Sequence, residues 1–135
     1  MRKKRVLICD DDRDFAKLLT MRLAKSGFEV SLAADGVQVM QLARKQKPDC
    51  IVLDMNMPAG NAYTTTRKLE QNAYTVAIPI ILMSGQNPDF NQLNESYQSH
   101  FLKKPFDVNK LINMINQLTE SDASDMPEEV QKENK

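Results

Sequence analysis

The chain has no tryptophan, one histidine, four glycines and two cysteines among its 135 residues. Two cysteines, Cys9 and Cys50, are too few for a disulfide framework, and a single histidine leaves no material for a zinc site or a catalytic triad. Basic and acidic residues both number 18, so the chain has no net charge to attract nucleic acid or anionic lipid. No apolar run approaches the ~20 residues that a membrane-spanning helix needs.

The basic start of the chain, Met1–Arg5, does not make a secretory signal. Only four apolar residues follow it before Asp10, whereas a signal peptide needs an apolar core of ~7–15 residues. We therefore expect a cytosolic protein without membrane insertion. The hydrophobic fraction of 41% and the charged fraction of 27% are typical of a globular domain, and the length suits one such domain.

Strand and helix patterns alternate along most of the chain. Short apolar runs or alternating segments predict strands over 5–9, 28–32, 50–53, 78–83 and 100–102. Apolar residues at helical spacing predict helices that begin after Asp12 or Asp14, at 36–46, at 61–71 and after a cap at Asp107, and a polar stretch predicts a further helix over 87–98. Five strands alternating with five helices indicate an α/β domain with one doubly wound parallel sheet.

Residues 121–135 differ in composition from the rest of the chain. They carry five acidic and two basic residues, and Met126 and Val130 are their large apolar side chains. Such a segment cannot bury enough apolar surface to offset the entropy cost of ordering. We expect one domain over residues 1–120 and a flexible acidic tail over residues 121–135.

Charged and polar side chains follow four of the predicted strands, namely Asp10 and Asp11, Asp54, Ser84 and Lys104. Because the carboxyl ends of parallel strands meet at one edge of a sheet, we expect these side chains to lie close together. Two carboxylates 4 Å apart repel each other by about 4 kcal/mol at an effective dielectric near 20. A hard divalent cation such as Mg²⁺ offsets that repulsion, and Lys104 adds a second positive charge.

This set of groups suits phosphoryl transfer. Asp54 is the candidate nucleophile, since carboxylates form aspartyl phosphates in proteins. A cation, the Lys104 ammonium and the Ser84 hydroxyl are the groups that stabilise the remaining oxygens of a moving phosphoryl group. The catalytic candidates are therefore Asp54, Lys104 and Ser84.

Four segments, in order along the chain, resemble the receiver domain of two-component response regulators: Val6–Asp12, Ile51–Pro58, Ile80–Gly85 and Phe101–Phe106. The resemblance covers about residues 1–119. It implies a flavodoxin-like sheet with the strand order 2-1-3-4-5. It also implies a signalling switch rather than an enzyme, because the protein has no separate substrate and loses its phosphoryl group by slow self-hydrolysis.

The resemblance further implies roles for individual residues. Asp54 accepts a phosphoryl group from a histidine kinase or a histidine phosphotransfer protein, and the Lys104–Pro105 peptide bond is cis. The implied Mg²⁺ ligands are Asp10, Asp11, Asp54 and the main-chain carbonyl of Asn56. The implied phosphoryl-binding residues are Ser84 and Lys104, and the implied switch residues are Ser84 and Phe101. The implied output is an unidentified downstream protein, with no direct nucleic-acid contact and with the chain a monomer or weak homodimer.

Two departures from the family pattern leave alternatives open. Ala62 stands where the family usually has glycine, and the stretch between Ser84 and Lys104 is short and polar. One alternative is a receiver-shaped interaction module whose output does not depend on phosphate, although retention of all five site residues favours the phosphoacceptor. Another alternative is a metal-dependent phosphatase, but Asp14 stands where such enzymes carry Thr or Val.

Overall fold

The computed structural model describes residues 2–56 and 62–120, so the predicted acidic tail lies outside the described residues. Five parallel strands form one sheet in the order β2-β1-β3-β4-β5. The strands are β1 Arg5–Cys9, β2 Glu29–Ala33, β3 Cys50–Asp54, β4 Ile80–Ser84 and β5 Phe101–Lys103. The doubly wound parallel sheet and its strand order are confirmed.

Helices cover both faces of the sheet. In the described residues these are α1 Arg13–Lys25, α2 Gly36–Gln46, α3 Ala62–Gln71 and α4 Val108–Thr119. Successive side chains of a strand point to opposite faces, so the sheet separates two apolar clusters. One cluster joins β1 and β3 to α1 and α4 through Ile8, Val52, Leu19 and Leu111. The other joins them to α2 and α3 through Leu7, Leu53, Val39 and Leu69. Within the described ranges, no helix combines the length and the apolar character needed to cross a membrane.

Aspartates begin three of these helices. Asp12, Asp35 and Asp107 each accept a hydrogen bond from a backbone N–H of the first turn, at 2.9–3.1 Å. Such caps satisfy donors that have no partner inside the helix. Of the two candidates for the first helix, Asp12 is therefore the cap, and the predicted cap at Asp107 is confirmed. Gly27 follows α1 with a φ of 96°, a left-handed conformation that favours glycine.

The prediction of a helix over residues 87–98 is wrong. Two short 3₁₀ helices, Phe90–Gln92 and Glu95–Gln98, occupy that stretch. The side chains of Asp89 and Asn94 accept hydrogen bonds from backbone N–H groups two residues further on, at 3.0 and 3.1 Å. These local bonds compete with the backbone hydrogen bonds of a continuous helix, so each 3₁₀ helix remains short.

Smaller differences concern element ends and two leucines. Strand β4 begins two residues later than predicted, because Pro79 has no N–H to give to the ladder, and β5 is shifted by one residue. Leu18 and Leu32 follow the apolar pattern, yet they are 50% and 44% exposed. The apolar pattern therefore located the helix and the strand but overestimated the width of their buried faces.

The two cysteines are buried thiols that form no disulfide with each other, as expected. In the parallel ladder Cys9 lies opposite Leu53 and Cys50 opposite Val6, so three residues separate the two thiols along the strands. Burial raises the pKa of both thiols to about 12. A thiol that stays protonated is a poor nucleophile, so we interpret both cysteines as core side chains and not as reactive groups.

Candidate functional site

Three carboxylates meet at the carboxyl edge of the sheet. Strands β1 and β3 are neighbours, so Asp10, which follows β1, and Asp54, which ends β3, come to the same edge. Asp10, Asp11 and Asp54 each place a carboxylate oxygen within 4.8 Å of the other two. Asp10 and Asp54 are 6% and 2% exposed, whereas Asp11 is exposed. The convergence predicted from the strand ends is therefore present in the structure.

Backbone N–H groups orient the two buried carboxylates. Asp12 N donates to Asp10 Oδ1 at 2.9 Å, and Asn56 N donates to Asp54 Oδ1 at 3.1 Å. In both cases the donor lies two residues after the carboxylate, in the local turn that aspartate favours. The first bond links the carboxylate of Asp10 to Asp12, the residue that caps α1. The role predicted for the carbonyl of Asn56 stays a prediction.

Lys104 places its ammonium between the two buried carboxylates. Lys104 Nζ lies 2.8 Å from Asp10 Oδ2 and 3.6 Å from Asp54 Oδ1. The backbone N–H of Lys104 donates to the carbonyl of Ser84 at 2.8 Å, which fixes the end of β5 beside β4. The Lys104–Pro105 bond is cis, as the resemblance implies. One ammonium thus partly compensates two carboxylates, which leaves the cluster with an excess of negative charge.

Burial raises the pKa of Asp54 from 3.8 to about 6. That value is a net result, in which the Asn56 N–H and the Lys104 ammonium lower the pKa and the charge of Asp10 adds to the effect of burial. Ionised Asp54 is therefore costly at neutral pH, and a bound cation offsets that cost. The donors are all carboxylate oxygens, so the set fits a hard divalent cation such as Mg²⁺.

Asp54→Asn should stabilise the metal-free protein at neutral pH. Because the pKa of Asp54 is raised on folding, ionisation destabilises the folded state as the pH rises from about 4 through about 6. The gain of the variant over the parent should reach up to about 3 kcal/mol above that range and disappear below it. Urea unfolding of both proteins with a chelator, across this pH range, measures the difference. A gain that does not change with pH would contradict the interpretation.

Asp11 gives this cluster its access to solvent. An open cavity of about 400 Å³ lies beside Asp10 and Asp11, where α1 begins and β2 ends. Arg13 and Gln38 line the same cavity. Solvent and small ions therefore reach Asp10 and Asp11 from this side without displacing the buried core.

Ser84 and Phe101 occupy adjacent strands. Ser84 ends β4 at 2% exposure, and its Oγ accepts a hydrogen bond from Gln86 N at 3.1 Å. Phe101 begins β5 opposite Leu82 and is partly buried. The ring of Phe90 meets the ring of Phe101 edge-on, with the centroids 5.8 Å apart. Ser84 thus ends β4 near the acidic cluster, and Phe101 on the neighbouring strand contacts the first of the two 3₁₀ helices.

Phe15 is a residue of the site that the sequence pattern did not predict. Lys104 Nζ lies 4.5 Å from the centroid of the Phe15 ring, and the Phe106 ring meets Phe15 edge-on at 5.9 Å. In sequence, Phe15 is one apolar residue of the helical pattern of α1, and in the structure it packs against the core while it contacts Lys104. One feature of the sequence could have indicated this role. Phe15 directly follows the acidic run of residues 10–14, and the first turn of the helix therefore begins at the site.

Comparison with known proteins places the chain in a family. The response regulator receiver domain family matches residues 6–116. Protein PilH of Pseudomonas aeruginosa is 35% identical over 114 residues, which cover 83% of this chain and 94% of PilH. The DNA-binding dual master transcriptional regulator RpaA of Synechocystis is 33% identical over 116 residues, which cover 84% of this chain. The match covers 48% of RpaA, so the chain spans about half the length of that relative.

Solved structures share the fold. The receiver domain of the Francisella response regulator 1452 superposes with a TM-score of 0.76 at 26% identity, and the match covers 88% of this chain and 98% of that one. The receiver domain of sensor histidine kinase PA1611 from Pseudomonas aeruginosa, solved with a magnesium ion in its active-site cleft, gives 0.72 at 23% identity, covering 87% and 98%. Family match, relatives and fold agree, and the chain belongs to the receiver domain family of two-component response regulators.

Proposed function

We propose that this chain is a phosphoacceptor switch, in which Asp54 takes a phosphoryl group from a phosphohistidine with Mg²⁺ bound beside it. The observation that carries the proposal is the cluster of Asp10, Asp11 and Asp54 with the Lys104 ammonium next to two of them. The donor is a histidine kinase or a histidine phosphotransfer protein, and the target is an unidentified downstream protein. A cytosolic location and a monomer or weak homodimer belong to the same proposal.

The transfer is an in-line displacement at phosphorus. Asp54 supplies a carboxylate oxygen, a P–O bond forms, and the P–N bond to the donor imidazole breaks. The electron pair of the broken bond stays on the imidazole nitrogen, which takes up a proton. The three carboxylates and the Asn56 carbonyl would hold Mg²⁺, which would supply positive charge for the phosphoryl oxygens. Water later attacks the acyl phosphate and releases inorganic phosphate, so the switch resets without a separate substrate.

The side chains around Asp54 orient and stabilise the transferred group. Lys104 Nζ lies 3.6 Å from Asp54 Oδ1, so its ammonium can donate to a phosphoryl oxygen carried by that carboxylate. The Ser84 hydroxyl ends the neighbouring strand and is the donor for another phosphoryl oxygen. Asn56 N already donates to Asp54 Oδ1, which leaves Oδ2 as the oxygen for the attack.

A small phosphodonor tests the proposal without a cognate kinase. Incubation with phosphoramidate and Mg²⁺ should add one phosphoryl group to the intact protein, and a chelator should prevent the addition. Intact-mass spectrometry measures the product. A folded protein that binds Mg²⁺ and yet remains unmodified would contradict the proposal.

A phosphorylation-independent interaction module is the second candidate. It is favoured by the replacement of a regular helix by two short 3₁₀ helices beside β5. Such a module would bind its partner equally well before and after phosphorylation. A pull-down with the parent and with the Asp54→Asn variant, each with and without phosphoramidate, separates the two candidates.

Phosphorylation should slow hydrogen exchange over residues 85–100. Ser84 Oγ accepts a hydrogen bond from Gln86 N and keeps its own O–H free to donate to a phosphoryl oxygen, and the movement of Ser84 toward that oxygen opens space toward Phe101. One charge-assisted hydrogen bond contributes about 1.5–3 kcal/mol, which shifts a two-state population roughly 10- to 100-fold. Hydrogen exchange with beryllofluoride and Mg²⁺ measures the change, and Ser84→Ala should reduce it. Bound beryllofluoride with unchanged protection over 85–100 would place the output surface elsewhere.

A further inference from the structure

The Lys104 ammonium has an aromatic neighbour as well as two carboxylates. Its Nζ lies 2.8 Å from Asp10 Oδ2, 3.6 Å from Asp54 Oδ1 and 4.5 Å from the centroid of the Phe15 ring. An ammonium within about 6 Å of a ring centroid is attracted to the negative face of the ring, and the attraction grows when water is excluded. The Lys104 side chain is only 22% exposed, so the contact lies in a partly desolvated place.

The backbone fixes Phe15 in relation to the acidic pair. Phe15 N donates to Asp12 Oδ1 at 3.1 Å, and Asp12 N donates to Asp10 Oδ1 at 2.9 Å. Two consecutive hydrogen bonds therefore connect the aromatic residue to one of the carboxylates that hold Lys104. The cap of α1 sets the distance between the ring and the site, and Phe15 lies within the first helical turn after that cap.

A second aromatic ring sets the orientation of the Phe15 ring. Phe106 meets Phe15 at an interplanar angle of 86°, with the centroids 5.9 Å apart. In this edge-to-face arrangement the positive edge of one ring meets the negative face of the other. Phe106 follows Lys104 by two residues, so the same short segment carries the ammonium and the ring that supports Phe15.

We propose that Phe15 is a positioning residue for phosphoryl transfer, whose ring face holds the Lys104 ammonium beside Asp54. The inference rests on the proposed function and assigns a residue to it. Lys104 has a flexible four-carbon stem, and its closest partner, Asp10, is also a proposed Mg²⁺ ligand. When a cation shares Asp10, the attraction between Asp10 and Lys104 weakens. The neutral ring does not compete for the cation, so its contact with Lys104 persists and keeps the ammonium within reach of the phosphoryl group.

Two substitutions at position 15 separate the effect of the aromatic face from the effect of apolar packing. Phe15→Leu keeps an apolar side chain but removes the negative face, whereas Phe15→Tyr keeps the face. With phosphoramidate and saturating Mg²⁺, the Leu variant should be phosphorylated about 5- to 30-fold more slowly, and the Tyr variant should stay within about twofold of the parent. The loss should appear in the rate at saturating donor, because the ring acts on Lys104 rather than on the donor.

A double-mutant cycle with Lys104 shows whether the ring acts through the ammonium. In a Lys104→Ala background, Phe15→Leu should have less than about a twofold effect, since its partner is already absent. If the Leu variant does not fold, phenylalanine analogues with increasing ring fluorination at position 15 replace it. They keep the shape while weakening the negative face, and the rate should fall stepwise with each added fluorine.

The outcomes distinguish the inference from the proposed function. A parent that takes no phosphoryl group would overturn both. A phosphorylated parent whose Leu variant reacts at the same rate would overturn the inference alone. Equal losses in the Leu and Tyr variants, or a loss that persists without Lys104, would assign Phe15 to packing and would also overturn the inference alone.

Discussion

Asp54→Asn is expected to abolish phosphorylation of the chain by phosphoramidate and Mg²⁺. An amide has almost the shape of the carboxylate and can keep the hydrogen bond from Asn56 N, but it lacks the charged oxygen that attacks phosphorus. The fold should remain, because the substitution removes one of three mutually repelling carboxylates. Intact-mass spectrometry and a thermal unfolding curve of the same sample measure the two results together.

Asp14→Asn is the matched control for this loss. Asp14 belongs to the same acidic run and lies exposed in the first turn of α1, two residues after the cap. The control removes the same charge from the same region, so it should be phosphorylated like the parent. Labelling of Asp54→Asn at the rate of Asp14→Asn would show that the acceptor is another residue.

Asp11→Asn should weaken Mg²⁺ binding by roughly tenfold or more, which corresponds to at least about 1.4 kcal/mol. Asp11 is the exposed member of the carboxylate cluster, and it has no ion-pair partner in the stretches 2–56 and 62–120. Its substitution therefore removes a ligand charge without breaking the pair between Asp10 and Lys104. Calorimetric titration with Mg²⁺ measures the affinity.

The same Asp14→Asn variant controls for the general electrostatic field near the site. A residue of the neighbouring helical turn contributes only a screened interaction with the cation, so its removal should change the affinity by less than about twofold. Comparable losses in the two variants would mean that the cation senses the net charge of the acidic run. Asp11 would then not be a direct ligand.

The sheet could be predicted from the sequence because its strands are buried on both faces. Continuous apolar runs such as Val6–Cys9 and Ile51–Leu53 leave little choice other than a parallel sheet covered by helices. The parallel topology then brought Asp10 and Asp54 to the same edge. The convergence of the acidic groups thus followed from strand ends alone, and the structure places them within 4.8 Å.

The remaining features depend on contacts that a one-dimensional pattern does not contain. Residues 87–98 have weak helical spacing, and the turns there depend on which backbone groups Asp89 and Asn94 reach. The contact between Phe15 and Lys104 joins residues far apart in the sequence, and it depends on the position of α1 on the sheet. In sequence, Phe15 is one more apolar residue of an amphipathic helix.

The most direct test of phosphoryl transfer to Asp54 is to locate the acyl phosphate. The protein is treated with a phosphorylated histidine kinase or phosphotransfer protein and Mg²⁺, reduced with borohydride to trap the acyl phosphate, digested and mapped by tandem mass spectrometry. The trapped residue is expected at position 54, and none is expected when the cation is chelated. A trapped residue at another aspartate, or transfer that proceeds equally well with a chelator, would contradict a switch built on Asp54 and its divalent cation.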